Sequence, residues 1–224
     1  TDGLPVLANL EEAQGLTLEL ERPATRLYQG SRCQRHLWLV GSRVQLVIAG
    51  HLLEHDLGPC PEPRHGHCDG NYAQRIGTSP CWHSDHGALY WCYLPGVLGW
   101  ASDREHRPCP LYRPYGLVRT LLALASDPTV SPQGEGQAEG GNPRRRRHQQ
   151  GQQGLLLVYD ARNPAFAAGS RTDRLLADLE ARLHPPFTLR RTTWQAIAAA
   201  MARSPWYADL LGYLKEKYGI EGGA

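Results

Sequence analysis

The sequence predicts one α/β domain with a mixed central sheet flanked by helices. Three strand candidates follow one another closely between Thr17 and Leu53, and helical and strand patterns alternate from Pro114 to the end. A length of 224 residues is enough for one well-packed core with an insertion but short for two full enzyme domains, so residues 1–224 are expected to form a single unit.

Val6 to Leu16 reads as a short helix with Leu7, Leu10 and Ala13 on one face. Strand candidates follow at Thr17 to Tyr28, where Leu18 and Leu20 alternate with polar residues, at His36 to Val40, and at Val44 to Leu53. The last is apolar almost throughout, interrupted by Gln45 and His51, so it is expected to be covered on both faces as a central strand. From Gly58 to Pro114 the chain turns to Cys, His, Trp, Pro and Gly with little periodicity, the composition of a loop-rich insertion pinned by something other than a large core. A helix resumes at Pro114, which suits a first turn, and Leu117, Val118, Leu121, Leu122 and Leu124 form its apolar face through Ala125.

Ser126 to Gly154 is low in complexity, rich in Gly, Gln, Pro and Arg, and is expected to be a disordered surface loop. Leu155 to Tyr159 reads as a buried strand ending in Asp160-Ala161-Arg162-Asn163-Pro164. A helix from about Ser170 carries Leu175, Leu176, Leu179 and Leu183, and Phe187 to Arg191 is a short strand. Thr192 and Gln195 are placed for a capping box on an Ala-rich helix. Ser204-Pro205 opens the last helix, whose apolar stripe is Trp206, Leu210, Tyr213 and Leu214 and whose stop is Gly219-Ile220.

Composition narrows the class. Hydrophobic residues at 41% and charged residues at 21% are those of a folded soluble protein, and no apolar run nears the ~20 residues of a membrane span. Leu4 to Leu10 is too short and lacks the basic flank of a signal peptide, so the expected compartment is the cytoplasm, with no membrane partner. The basic side chains are 22 Arg against Lys215 and Lys217. Guanidinium forks suit phosphate, and a GC-rich genome also yields Arg.

The order helix, three meandering strands, helix, strand, helix, strand, helix resembles the PD-(D/E)XK restriction-endonuclease-like core. A bacterial branch of that superfamily is suggested by His51-Leu52-Leu53-Glu54-His55-Asp56-Leu57-Gly58-Pro59-Cys60, Cys68-Asp69-Gly70-Asn71-Tyr72, Arg107-Pro108-Cys109-Pro110-Leu111 and Tyr159-Asp160-Ala161-Arg162-Asn163-Pro164-Ala165-Phe166. The resemblance implies a nucleic-acid-processing domain, with DNA as the expected partner. It also implies an Asp on the second strand and Glu-x-Lys on the third, gathering Mg²⁺ for phosphodiester cleavage. Here the third-strand positions are Ala49 and His51, and the second-strand Asp position falls at or near His36. Neutral imidazole prefers Zn²⁺ or similar ions to Mg²⁺. His36 and His51 are therefore either a degenerate catalytic pair, with Glu54 or Asp56 nearby and Mg²⁺ disfavoured, or residual polar groups satisfied locally.

Cys60, Cys68, Cys81 and Cys109 fall in the insertion among Gly, Pro and polar residues. Four thiolates can close a tetrahedral Zn²⁺ site or hold an iron–sulfur cluster, either of which would stabilise a segment poor in apolar residues. The spacing is not that of a zinc ribbon, and unligated thiols with surface His65, His67, His83 and His86 are the alternative. Cys33 and Cys92 read as small buried hydrophobes. Arg119, one helical turn after Tyr115, Arg162 at a strand end, and the run Arg144, Arg145, Arg146 and Arg147 are the candidate nucleic-acid contacts. The composition leaves the oligomeric state open. Three functions compete: a phosphodiesterase-like domain lacking standard Mg²⁺-dependent cleavage, a non-catalytic nucleic-acid or protein-binding module stabilised by a Cys-bound metal, and a metal-carrying redox or sensor domain if the cysteines hold an iron–sulfur cluster.

Overall fold

The structure, a computed structural model, describes residues 15–20, 27, 36–41, 44–68, 81–100, 109–126 and 152–221. The expected helix at 6–16 falls almost wholly outside these residues; Cys33 and Arg144 to Arg147 lie outside them. The chain is α/β, with a five-stranded mixed sheet flanked by helices. Strands β1 (Thr17–Leu20), β2 (Leu37–Val40) and β3 (Val44–His51) form an antiparallel meander. Strands β4 (Gln152–Tyr159) and β5 (Phe187–Thr193) add to β3 in parallel, giving the order β1-β2-β3-β4-β5. β3 is central, as its run of apolar residues predicts.

Both faces of the β3–β4 pair are covered. Val47, Ala49, Leu155 and Leu157 face the larger core, which α2 (Tyr90–Leu98), α3 (Tyr115–Ala125) and α4 (Arg171–Arg182) complete. Leu46, Leu156 and Val158 face a smaller cluster with Trp194 and Ile197 of α5 (Trp194–Met201). Alternate residues of a strand point to opposite faces, so an uninterrupted apolar strand requires this two-sided cover.

The structure corrects several boundaries. The stretch at 58–114, expected as a loop-rich insertion, contains α1 (Trp82–Asp85) and α2, and Tyr90, Leu94, Val97 and Leu98 of α2 are buried in the main core. Its stability therefore draws on apolar burial, ~1.5–3 kcal/mol for each fully buried Leu, and not on cysteines alone. Pro95 interrupts the helical pattern and hid this element from the sequence. The low-complexity stretch ends earlier than expected, because Gln152, Gln153 and Gly154 pair with Val44, Gln45 and Leu46. The buried Gln153 amide donates to Gln45 Oε1 at 3.4 Å and to Leu124 O at 3.1 Å, so a glutamine that looks like loop is satisfied inside the fold.

The cap of α5 is Thr193, whose hydroxyl accepts from Ala196 N at 3.0 Å; Gln195 reaches Asp160 instead of closing a box with Thr192. Cys92 is exposed on α2. The last helix, α6 (Ala208–Tyr218), follows a 3₁₀ turn at Pro205–Tyr207 and buries none of its side chains, so its apolar stripe faces outward. It ends with Gly219 at φ 60° and with Ile220 N bonded back to Leu214 O, the expected left-handed stop.

α3 is held against the loop after β3 at one glycine. Gly116 N donates to Gly58 O at 2.7 Å, and a Cβ at Gly116 would lie 2.8 Å from Leu57 O. Gly116→Ala is expected to lower the unfolding free energy by ~1–3 kcal/mol, read as a lower urea midpoint. Gly212→Ala, in α6 where an added Cβ meets nothing within 4 Å, is the matched substitution that leaves the midpoint unchanged or raises it.

Candidate functional site

The end of β3, the start of β2 and the first turns of α3 enclose a cavity of 270 Å³ lined by His36, Ala49, His51, Glu54, Asp56 and Thr120, among others. β2 and β3 pair Leu37 with Ile48, which puts His36 level with Ala49, and His51 lies two residues further along the same face. Ala49 and His51, which stand at the positions the resemblance assigns to Glu and Lys, therefore share the cavity with His36.

The protonation of His36 follows from its neighbours. Thr120 donates its hydroxyl proton to Gly116 O at 3.0 Å, so at the 3.0 Å contact between Thr120 Oγ1 and His36 Nε2 the imidazole N–H is the donor. His36 Nδ1 then carries the lone pair. Burial, then His51 and then Arg119, push the His36 pKa down to about 4, so the ring is neutral at pH 7. Burial also lowers His51, against the opposing pull of Glu54 and Asp56. His51 Nδ1 is buried with no hydrogen-bond partner among the described residues, while Trp194 Nε1 donates to its backbone oxygen at 3.3 Å. Glu54 and Asp56 are engaged by backbone: Glu54 Oε2 accepts from Leu52 N and Leu53 N at 2.7 and 3.1 Å, and Asp56 Oδ1 from Gly58 N at 3.0 Å. The cavity thus offers two neutral imidazoles, a hydroxyl and two loop carboxylates. That donor set suits a borderline cation or proton transfer better than Mg²⁺.

A second constellation lies in the stretch 58–114. Cys60 is buried, and its thiol is pushed up to about 12 by burial and, against a backbone hydrogen bond at Glu62, by Cys68, Cys109 and Cys81. The other three candidate cysteines therefore lie near enough to act on Cys60. Cys60 Sγ lies 3.4 Å from His83 Nε2, and His83 stacks on Tyr115 with centroids 5.0 Å apart. Burial takes His83 to about 4, with Glu62 opposing and Arg119 and His86 assisting.

Among the described residues, the group of three or more ligands whose donor atoms all lie within 4.8 Å of one another is Glu62, His65 and His67, and it can hold a metal ion. Glu62 is buried; its Oε2 lies 2.6 Å from His67 Nδ1 and 3.9 Å from His65 Nδ1, and its Oε1 lies 3.7 Å from His83 Nε2. Sequence reasoning missed Glu62. The signal was the Glu-x-x-His-x-His spacing inside a Pro- and Gly-bounded turn, which wraps i, i+3 and i+5 together.

α3 joins the two constellations. Tyr115 in its first turn touches His83 and, through its hydroxyl at 3.0 Å, Tyr90; Thr120 holds His36. Arg119 between them lowers the pKa of both His36 and His83, so one guanidinium is felt at both places. Arg162 is differently placed. Its Nε and Nη2 fork onto Asp160 at 3.0 and 2.6 Å, holding that carboxyl well below its usual range, and its Nη1 and Nη2 bond Gly219 O and Tyr218 O at the end of α6. With all three nitrogens engaged, Arg162 serves as a clamp on α6. No family model, no curated protein and no solved structure matches the chain. No helix among the described residues is long and apolar enough to cross a membrane.

The buried imidazoles set an acid limb. Between pH 6.5 and about 4 the unfolded chain takes up protons at His36 and His83 that the fold excludes, so stability is full above pH 6.5 and falls as pH falls through this window. Asp160, depressed from 3.8, is lost only at more acid pH. The slope of unfolding free energy over pH 4 to 6.5 should therefore drop by about one proton in His36→Gln, measured from urea midpoints across that range.

Proposed function

We propose that this chain is a restriction-endonuclease-like nucleic-acid-processing module that has lost Mg²⁺-dependent hydrolysis, acts on or binds DNA, and carries a Cys-rich insertion stabilised by Zn²⁺ or an iron–sulfur cluster. The observation that carries the reading is the cavity at the end of the central strand, where His36, Ala49 and His51 occupy one wall. An antiparallel meander followed by a parallel strand reached through a helix supports the same build. Phosphodiester cleavage by Mg²⁺ needs hard oxygen ligands, and neither β2 nor β3 supplies a carboxylate. Glu54 and Asp56 approach from the loop, each with one oxygen already accepting from backbone amides.

A purely binding role, with a metal serving structure alone, is favoured by one further observation: Cys68, Cys109 and Cys81 act on the Cys60 thiol, which lies beside His83, itself next to Glu62. Soft thiolates select Zn²⁺ or iron–sulfur chemistry, and binding lowers a thiol pKa that burial alone raises.

Incubation with plasmid and labelled oligonucleotide in Mg²⁺ should give no cleavage, and the triple change His36→Asp, Ala49→Glu, His51→Lys should introduce Mg²⁺ binding detectable by calorimetry. Robust Mg²⁺-dependent cleavage by the unmodified chain would overturn the reading. Elemental analysis of the purified protein should find zinc or iron bound to the chain, and Cys60→Ser should release it. A metal content unaffected by Cys60→Ser would place the ion elsewhere, with Glu62, His65 and His67 as its ligands.

A further inference from the structure

A larger cavity, of 850 Å³, shares Asp56 and Leu57 with the histidine cavity and is ringed by Arg64, Arg113, Arg171 and Arg174. The four guanidinia come from three separate stretches. Arg64 stands in the Pro61 to His67 turn of the insertion, Arg113 just ahead of α3, and Arg171 and Arg174 in the opening turns of α4.

Among the described residues Asp56 is the one carboxylate in this lining, and its Oδ1 accepts from Gly58 N. The acid in the first turn of α4 already has partners: Asp173 Oδ1 takes Arg191 Nη1 at 2.7 Å and its Oδ2 takes Gly169 N at 2.8 Å, with Arg174 close enough to act on it as well. Among the described residues Arg64 and Arg171 form no ion pair, and Arg174 donates to a neutral backbone oxygen, Gly169 O. Arg64, Arg113, Arg171 and Arg174 are all exposed side chains.

Four like charges around one concavity, with the nearby acids engaged elsewhere, describe a site for an anion. A single carboxylate or phosphate fills one guanidinium fork, whereas forks contributed by three segments around a space this wide suit a chain of phosphates. The positive end of the α4 dipole adds to the field, and Tyr112 in the same lining supplies an aromatic face of the kind on which bases stack. We infer that this groove holds the sugar-phosphate backbone of a nucleic-acid strand and leads it past Asp56 and Leu57 toward His36 and His51. The inference rests on the nucleic-acid reading above and moves its contacts away from Arg162, whose guanidinium clamps α6.

The test is fluorescence anisotropy of a labelled 20-nucleotide single-stranded DNA with the full chain, repeated from low to moderate KCl. Four phosphate contacts give a log–log salt slope of about −3 at ~0.7 per contact. The double variant Arg64→Ala with Arg171→Ala should bind roughly tenfold more weakly at low salt, with the slope reduced in magnitude by about 1.4. Arg203→Ala, an exposed arginine outside the groove, should behave as the unmodified chain. These side chains are exposed, so the variants should keep the unmodified circular dichroism spectrum and urea midpoint. Binding that the double variant retains in full, or that Arg203→Ala weakens as much, would overturn the groove while leaving nucleic-acid binding in place. Failure of the unmodified chain to bind the strand at low salt would overturn both.

Discussion

The parallel pairing of β3 with β4 is the constraint on which the remaining structure depends. Neither strand carries the polar alternation that would let one face meet water, so helices must cover both sides, and joining two parallel strands requires a crossover long enough to return to the same edge. α3, with α1 and α2 before it, lies in that crossover. Its apolar side, with Val118, Leu121 and Leu124, is committed to the core, while Gly116 and Thr120 line the cavity at the end of β3 and Tyr115 stacks on His83. Sheet topology thus dictates which side chains meet at the candidate site.

Two regions that look independent in the sequence become electrostatically linked through that helix. The histidine cavity and the cysteine-bearing stretch each contain an imidazole kept neutral by burial, and Arg119 raises the cost of charging either one. A cation bound at one of them would meet the same guanidinium as a cation bound at the other. Neutral imidazoles and thiols are compatible with a nearby arginine; a cluster of ionised carboxylates, as Mg²⁺ requires, would be drawn toward it and reorganised.

The strand order and the central position of β3 were legible because apolar runs and the helix starts at Pro114 and Ser170 carry local signals. What was not legible depended on distant partners. Gln152-Gln153-Gly154 is indistinguishable from a polar loop until Gln45 and Leu124 O are available to receive its amide. α2 was obscured by Pro95 and by neighbouring Cys and Gly, although Leu94 and Leu98 sit deep in the core. In the candidate site, strand period puts Ala49 and His51 on one face, but that His36 joins them depends on the pairing of Leu37 with Ile48. Glu62 could not be singled out, because its importance arises from burial beside three histidines, and the arginines of the groove are scattered over more than a hundred positions. Arg162 was misjudged for a related reason: a guanidinium at a strand end suggests a ligand contact until the end of α6 is seen to occupy it.

That occupation gives the C-terminal helix an unusual dependence. α6 contributes no buried side chain of its own, while Trp206 just before it is 91% exposed, and its attachment runs through the Arg162 fork on Tyr218 O and Gly219 O and the buried Ile220 just beyond. Such a segment belongs to a separate cooperative unit, one that opens at far smaller free energy than the sheet and closes again without disturbing it. Its amides should exchange with solvent on their own timescale, governed by a latch of one guanidinium and one isoleucine while the body of the protein stays shut.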